Sequence, residues 1–310
     1  MKSVCSSVSV LFISSLLAVL PHTAADDVAS EAERPGSDLS GTRRAMIICG
    51  HPGDEQHAGE FTTAIESIHR GLTQHYGFAA SDIRVLAGME IGDSAVLQEL
   101  KATESTQENI ESAAGEFVRS AMAEDTAWVF VLGHSHFDRG RSFFNLPGPD
   151  IQQTQFSKLF DDLLCREQVF FITLPASGYY IKPLSKPSRV IFTATEADLE
   201  VNGTLFPSVL AEFLAKSPTE AFDIDADGRN TLFDLYINVT TAVARQYLDQ
   251  ELLSTEHANL DDNGDGRGSE LQRDWLTEEL GGRTGVPRKP QPDSGQDGFL
   301  AQSTLLLPPR

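Results

Sequence analysis

FFITLPASGYY, residues 170–180, begins as an apolar run and ends in a turn of small residues. The run is typical of a β-strand that is buried on both faces, and a strand that leads into a tight turn is a layout that enzymes use to present a nucleophile. The residue at the tip of this turn is Pro175, which has neither a nucleophilic atom nor a backbone N–H. The stretch therefore predicts a buried strand that ends in a platform without a reactive group.

Similar apolar runs alternate with helical patterns along the first two thirds of the chain. Apolar residues at spacings of three and four, as over residues 61–72, predict helices that cover a sheet. Ser105 and Glu108 predict a capping box at the start of one helix. The alternation predicts an α/β fold with a mostly parallel sheet and helices on both faces, so functional side chains are expected at the carboxyl ends of the strands. The predicted strands span residues 44–49, 83–86, 127–132, 169–173 and 190–195, and the predicted helices span residues 61–72, 105–122, 156–163, 206–214 and 232–253.

The first 25 residues have the features of a secretory signal peptide. They contain Lys2, an apolar stretch over residues 8–20, and small residues around a cleavage position near Ala24 or Ala25. The apolar stretch is shorter than the roughly 20 residues that a membrane span needs, although an uncleaved anchor is the alternative. We therefore expect residues 26–43 to form a flexible leader of an exported protein, secreted or periplasmic, that has no membrane span after cleavage.

The charge and the cysteines limit the partners and the redox chemistry. A formal net charge of −21 argues against nucleic acid and anionic membranes as partners, because both attract basic surfaces. Cys5 lies in the signal peptide, and Cys49 and Cys165 lie beside apolar strands. We expect these two to be buried free thiols, with a single disulfide as the alternative.

Two strand ends carry a recognisable pair of motifs. GHSHFD, residues 133–138, follows one predicted strand, and TLPASG, residues 173–178, follows the next. Together they resemble the caspase-fold peptidases, most closely the legumain-like cysteine peptidases, which place a catalytic histidine after one strand and an Ala-Cys-x-Ser-Gly turn after the next. The resemblance covers residues 44–215. It implies that His134 stands at the general-base position and that Pro175 occupies the position of the nucleophilic cysteine, while Ser177 and Gly178 match.

The departures from this family remove parts of its mechanism. Pro175 has neither the thiol nor the backbone N–H that the family contributes at this position, and Ser135 replaces the glycine after the histidine. Ser177 is a weak candidate for a substitute nucleophile, since a serine in such a turn more often bonds the local backbone. Cys49 is a second candidate, although a cysteine within MIIC is usually a small core residue.

Histidines and acids around the same strand ends allow a second interpretation. His134, His136 and Asp138 have the H-x-H-x-D spacing of metallo-β-lactamase-like sites, which would suit Zn²⁺ as a less favoured cofactor. HPGDE, residues 51–55, also looks like the HPDDE turn of zinc-dependent de-N-acetylases, with Gly53 in place of the first acid. Asp54 and Glu55 are the candidate substrate-binding residues. The additional potential ligands on this loop are His51 and His57.

Two acidic turns follow in the last third of the chain. DIDADGRN and LDDNGDGRG fit the start of an EF-hand-like loop, in which alternating oxygen ligands and a glycine at the sharp turn bind Ca²⁺. The alternative is a solvated turn that caps a helix. The second loop has Gln272 at its twelfth position, where Glu270 could substitute. The predicted ligands are Asp223, Asp225, Asp227, the Arg229 carbonyl and Asp234 in the first loop, and Asp261, Asn263 and Asp265 in the second.

These observations predict a helical extension over residues 216–280 and an irregular tail over residues 281–310. We expect an exported caspase-like protein, a catalytically inactive peptidase homologue that binds a peptide or protein and holds structural calcium. The alternative is an active hydrolase, a peptidase or amidase, that uses a displaced nucleophile or a metal at His134 and His136.

Overall fold

Apolar stretches of the sequence form the parallel strands of one large sheet. The computed structural model describes residues 41–197, 200–219, 222–285 and 289–307, which belong to one compact unit. The predicted signal peptide and most of the predicted leader lie outside the described residues. Seven strands pair in the order β10-β9-β8-β4-β1-β2-β3, all parallel except β10, which runs antiparallel to β9. Their bounds are β1 Arg43–Cys49, β2 Ile83–Ala87, β3 Thr103–Glu104, β4 Thr126–Leu132, β8 Glu167–Ile172, β9 Arg189–Thr193 and β10 Asn259–Asp261.

A small antiparallel sheet lies between β4 and β8 in the sequence. It consists of β5 (Ser135–Asp138), β6 (Arg141–Phe144) and β7 (Ile151–Gln152), in that order. Its first strand begins one residue after His134, so the histidine loop leads directly into a hairpin. The sequence analysis did not predict this sheet, because its strands are only two to four residues long.

Helices cover both faces of the large sheet, as the predicted α/β fold requires. Neighbouring residues of β1 point to opposite faces, so Ile47 joins one hydrophobic core and Ile48 the other. The first core contains apolar residues of α1, α6 and α7, and the second contains those of α3 and α4. The predicted fold class is therefore confirmed. The helices are α1 Glu55–His75, α2 Ala95–Glu99, α3 Gln107–Ser120, α4 Gln153–Lys158, α5 Ile181–Leu184, α6 Phe206–Leu214, α7 Leu232–Asp249 and α8 Phe299–Ser303.

The predicted cap of α3 is wrong by one residue. Thr106 is the N-cap, and its hydroxyl accepts a hydrogen bond from the backbone N–H of Asn109 at 3.2 Å. Ser105 is buried instead and donates its hydroxyl to the carbonyl of Cys49 at 2.7 Å. A long-range contact to β1 therefore takes the side chain that the local pattern assigned to the cap.

The last third of the chain is part of the same sheet and core. β10, from the stretch predicted to be an extension, pairs with β9, and Leu232 and Tyr236 of α7 are buried in the first core. Helix α7 is shorter than predicted because the chain turns at Glu251, which has a φ of 56°. The tail is not wholly irregular, since it contains α8 and pairs Leu305 with Thr231. No helix in the described part of the chain is long and apolar enough to cross a membrane.

Candidate functional site

The loops that carry the predicted site residues meet at one edge of the large sheet. Strands β1, β4 and β8 are parallel neighbours, so the loops that follow them leave the sheet side by side. Gly133, after β4, has a φ of 129°, and a Cβ atom there would lie 3.0 Å from the backbone nitrogen of Gly50. Glycine suits both this backbone conformation and the close approach between the loop after β1 and the loop after β4. The structure therefore brings together the His51–His57 loop, His134 and the Pro175 turn at one edge.

His134 is held by the first loop and carries its proton on a defined nitrogen. Its Nε2 lies 2.9 Å from the carbonyl oxygen of Pro52, which can only accept, so Nε2 donates. The ring also packs edge-on against His57 and Phe61, with centroid distances of 4.6 and 5.4 Å. Burial lowers the pKa of His134, and the neighbouring His57 lowers it further. This direction favours the neutral imidazole, in which Nδ1 is the basic nitrogen.

The Pro175 turn is buried and fixed by its neighbours. The Pro175 carbonyl accepts a hydrogen bond from the hydroxyl of Ser135, and the N–H of Ala176 donates to the carbonyl of Glu200 at 2.8 Å. Ala176 adopts a left-handed φ of 49°. A Cβ at Gly178 would lie 2.3 Å from the nitrogen of Ala197, so the turn packs directly on the loop after β9. Hydrogen bonds and close backbone packing therefore hold this turn, which has Pro175 at its tip, in place.

Ser177 is a structural residue of this turn. It is fully buried, and its N–H donates to the hydroxyl oxygen of Thr195 at 2.8 Å. Its own hydroxyl oxygen accepts the N–H of Thr195 at 3.1 Å, and the two hydroxyls lie 3.0 Å apart. These reciprocal bonds fasten the turn after β8 to the end of β9. They engage the hydroxyl that serine catalysis would need.

Both cysteines are buried free thiols, which confirms the expectation from the sequence. Burial raises the pKa of Cys49 well above the range of a reactive thiol and raises that of Cys165 to about 12. The thiolate is the nucleophilic form of cysteine. Cys49 is therefore in the wrong state to act as a displaced nucleophile, although it lies at the right edge of the sheet.

The predicted zinc ligands have separate partners. His136, on β5, stacks on Phe143 and lies 2.8 Å from the side-chain oxygen of Asn145, while Asp138 pairs with Arg141. His51 accepts a hydrogen bond from the N–H of Gly53. Among the described residues, these histidines and acids do not form a group of three donors close enough to share an ion.

Asp54 and Glu55 have different roles at the start of α1. Asp54 is the N-cap and accepts the backbone N–H of His57 at 2.9 Å, and this hydrogen bond is the main reason why the pKa of Asp54 is lowered. The imidazole of His57 lies 2.8 Å from the same carboxylate. Glu55 begins the helix and stays exposed. Both residues lie on the wall of a groove at the edge of the sheet.

This groove lies at the same edge of the sheet as His134, which is close to Gly53 on the groove wall. It has a volume of about 1280 Å³ and lies between the loop after β1, residues 88–94 after β2, and residues 146–148. Among the described residues, acids line it and no lysine or arginine does. Three of these acids were not predicted, although Glu90 and Asp93 follow β2 and Glu104 ends β3 at the same edge of the sheet. The five acids are Asp54, Glu55, Glu90, Asp93 and Glu104.

The first acidic loop gathers three of its predicted metal ligands. One carboxylate oxygen from each of Asp223, Asp225 and Asp227 lies within 4.8 Å of the others. Asp223 also accepts the N–H of Gly228 at 2.8 Å, which closes the loop. Arg229 donates its N–H to Asp227, and its guanidinium pairs with the same carboxylate. Such a set of carboxylates is suited to a hard cation.

Asp234 makes its hydrogen bonds with residues outside this cluster. It is buried and forms a capping box with Thr231 at the start of α7, and its Oδ1 atom accepts the N–H of Ile224 at 2.9 Å. Both of its oxygens are therefore bound by the protein. Gln272 of the second loop is likewise committed, since it accepts the hydroxyl of Tyr236 and donates to the carbonyl of Ala258.

The fold and site define an α/β protein with a histidine loop and a proline turn at the ends of neighbouring parallel strands. No protein-family model and no curated protein matches the sequence. Among solved structures, the chain is similar to protein GSU0716 from Geobacter sulfurreducens, with a TM-score of 0.44 and 9% identity over 71% of this chain and 92% of that chain. It is also similar to the Drosophila initiator caspase Dronc, with a TM-score of 0.39 and 10% identity over 73% of this chain and 81% of that chain.

Proposed function

We propose that this chain is a catalytically inactive, caspase-like peptidase homologue that binds a peptide or protein in the groove beside His134. The observation that carries the proposal is the buried Pro175 turn. The turn keeps the placement and rigidity of a nucleophile platform but has neither a thiol nor an N–H at its tip. The resemblance of the two loop motifs and the order of the parallel strands support the assignment of the platform.

Among the described residues, the two candidate nucleophiles near the turn are both occupied or buried. Ser177 is fully bonded to Thr195, and Cys49 is buried with a raised pKa. The absent N–H at Pro175 also matters, because the loss of one oxyanion donor costs about a hundredfold or more in rate. Covalent hydrolysis at this turn therefore lacks both its attacking atom and one of its stabilising donors.

The groove offers a binding surface for a positively charged segment. Five acids line its walls without a compensating lysine or arginine, so the potential inside favours cations. An extended peptide that carries lysine or arginine fits this charge and the open shape of the groove. Acidic peptides would be repelled. We therefore expect basic peptides to bind and to remain intact.

Fluorescence polarisation with matched peptides tests the binding proposal. A fluorescein-labelled peptide with four lysines or arginines is compared with the same peptide in which glutamates replace these residues. Changing Glu90, Asp93 and Glu104 to their amides together should weaken binding of the basic peptide roughly tenfold at low salt, because each screened surface charge contributes a fraction of a kcal/mol. Glu124→Gln is the matched control, since Glu124 is exposed and precedes β4 at the opposite edge of the sheet. Equal binding of the two peptides would contradict a role for the acidic groove.

We also propose that the first acidic loop binds a structural Ca²⁺. Asp223, Asp225 and Asp227 supply the oxygens, and Asp234 acts as the cap that joins the loop to α7. An extracellular-type site with a Kd of about 0.1 mM would stabilise the protein by about 2.7 kcal/mol at 10 mM calcium. The double change Asp225→Asn and Asp227→Asn should remove this gain in thermal unfolding, whereas Asp249→Asn, an exposed change on α7, should keep it. Calcium stabilisation of equal size in both variants would contradict the site.

Export is part of the same proposal. Residues 1–25 would be removed as a signal peptide, which fits a calcium site of modest affinity in an extracellular setting. Intact-mass measurement of the protein recovered from outside the cytoplasm should give a chain that begins near Ala24 or Ala25. Recovery of an uncleaved chain from the membrane fraction would support the anchor instead.

A further inference from the structure

A buried carboxylate in the second acidic loop has an oxygen without a partner. Asp261, the last residue of β10, is only 1% exposed. Its Oδ1 accepts the N–H of Gly264 at 3.2 Å, whereas its Oδ2 makes no hydrogen bond of good geometry, although the Ser185 hydroxyl, which accepts the N–H of Gly266, lies close to this carboxylate. Burying a carboxylate oxygen without a donor or a cation is unfavourable. The loop therefore has an acceptor that a bound group would satisfy.

The C-terminal tail places a second buried acid against the same loop. Asp297 is 6% exposed, accepts the N–H of Asp262 at 3.3 Å and accepts the hydroxyl of Ser269. Ser269 stands at the ninth position of the loop, three positions before the twelfth, where an EF-hand supplies its last ligand. The twelfth residue, Gln272, is committed elsewhere. Asp297 therefore places a carboxylate against the loop, and each of its two oxygens also accepts one hydrogen bond from the protein.

The position of Asp297 is fixed by a separate set of hydrogen bonds. Both carboxylate oxygens of Asp262 accept backbone N–H groups of the tail, from Gly298 at 2.8 Å and from Ala301 at 2.7 Å. These bonds hold the start of α8 against the loop. They also place the neighbouring residue, Asp297, beside the loop, and the carboxylate that accepts them is that of Asp262.

The loop and the tail beside it carry more acids than bases. Residues 261–272 contain four acids and one base, Arg267, and Asp297 adds a fifth carboxylate. A cation placed among these acids would relieve the repulsion between them. The loop thus favours a positively charged occupant on grounds of charge as well as of the unpartnered oxygen.

We propose that the second acidic loop binds a divalent cation, with Ca²⁺ as the preferred ion, and that Asp297 of the tail completes the site. The ligands are Asp261, Asn263 and Asp265 from the loop and Asp297 from the tail. Within the described chain, the acids of this loop do not gather as tightly as Asp223, Asp225 and Asp227, whose oxygens lie within 4.8 Å. An ion held by these four residues would link the C-terminal segment to β10.

Isothermal titration calorimetry with CaCl₂ on the calcium-depleted mature protein tests the site by counting ions. Wild-type protein should bind two ions. Asp297→Asn should bind one, and the first-loop variant Asp225→Asn with Asp227→Asn should also bind one. Asp293→Asn is the matched control, because Asp293 is an exposed acid on the same tail, and it should still bind two.

The outcomes separate this proposal from the others. Two ions in Asp297→Asn would overturn the role of the tail, and a single wild-type ion that disappears in the first-loop variant would overturn the second site. If circular dichroism shows that Asp297→Asn does not fold, Asp265→Asn, a change at an exposed loop residue, provides the test. This variant should also bind one ion. Binding of two ions by Asp265→Asn would overturn the proposal. The peptide-binding proposal concerns the groove and is measured independently by polarisation.

Discussion

Ser177→Ala separates a structural serine from a catalytic one. The substitution removes the oxygen that accepts the N–H of Thr195 at 3.1 Å and the 3.0 Å contact between the two hydroxyls. It leaves a fully buried N–H without an acceptor, because both residues are 0% exposed. A buried donor left unsatisfied costs about 1–3 kcal/mol. At roughly 3 °C for each kcal/mol in a chain of this size, the unfolding midpoint should fall by about 3–9 °C.

The assay combines thermal unfolding with labelling by a fluorophosphonate probe. We expect Ser177→Ala to be less stable by the stated amount and the wild type to show no labelling at Ser177, since its hydroxyl is enclosed and bonded to Thr195. Ser208→Ala, on the exposed side of α6, is the control and should change stability by less than about 0.5 kcal/mol. Labelling of Ser177 in the native wild type, or an unchanged midpoint in Ser177→Ala, would refute the structural reading of this residue.

The remaining predictions concern buried groups. Cys49 and Cys165 should resist a thiol-directed peptidase probe in the native protein and react only after denaturation, and labelling of native Cys49 would revive a cysteine mechanism. Arg189→Met should lower the free energy of unfolding in urea by about 3 kcal/mol or more. The guanidinium donates to Gln168 and to two backbone carbonyls, and these groups would lose their partner. A decrease below about 1 kcal/mol would contradict this. Burial raises the pKa of Glu256 from 4.5 to about 7, so the folded state binds more protons than the unfolded state between these pH values. The free energy of unfolding should therefore fall by up to about 3 kcal/mol as the pH rises through this window. Glu256→Gln should flatten this dependence, and an equally steep profile in the variant would show that another group causes it.

Five of the six parallel strands could be predicted because they are mainly apolar runs that tolerate burial on both faces. The sixth, β3, was not predicted, because it consists of two exposed polar residues. The edge that carries the site followed from the same reasoning, since parallel strands end together. His134 and the Pro175 turn were predicted to follow neighbouring strands, and in the structure they follow the paired strands β4 and β8. Their hydrogen-bond partners were not predictable, because Pro52 and Glu200 approach them through the packing of loops.

The rest of the site depends on contacts between distant parts of the chain. Glu90, Asp93 and Glu104 reach the groove because β2 pairs with β1, and strand order is not encoded in local periodicity. Asp297 meets Asp262 across 35 positions of sequence, in a tail that reads as irregular. Polar residues in stretches without periodicity give no local signal of such contacts, so their placement required the structure.

Hydrolysis of a diverse fluorogenic peptide library by the purified mature protein tests the central claim most directly. The reaction is followed with calcium and zinc present and after chelation, beside a His134→Ala variant. The proposed loss of the nucleophile predicts no cleavage above the buffer rate in any condition, and no difference between the wild type and the variant. Cleavage by the wild type that His134→Ala abolishes would contradict the account and would require a nucleophile or a metal at this edge of the sheet.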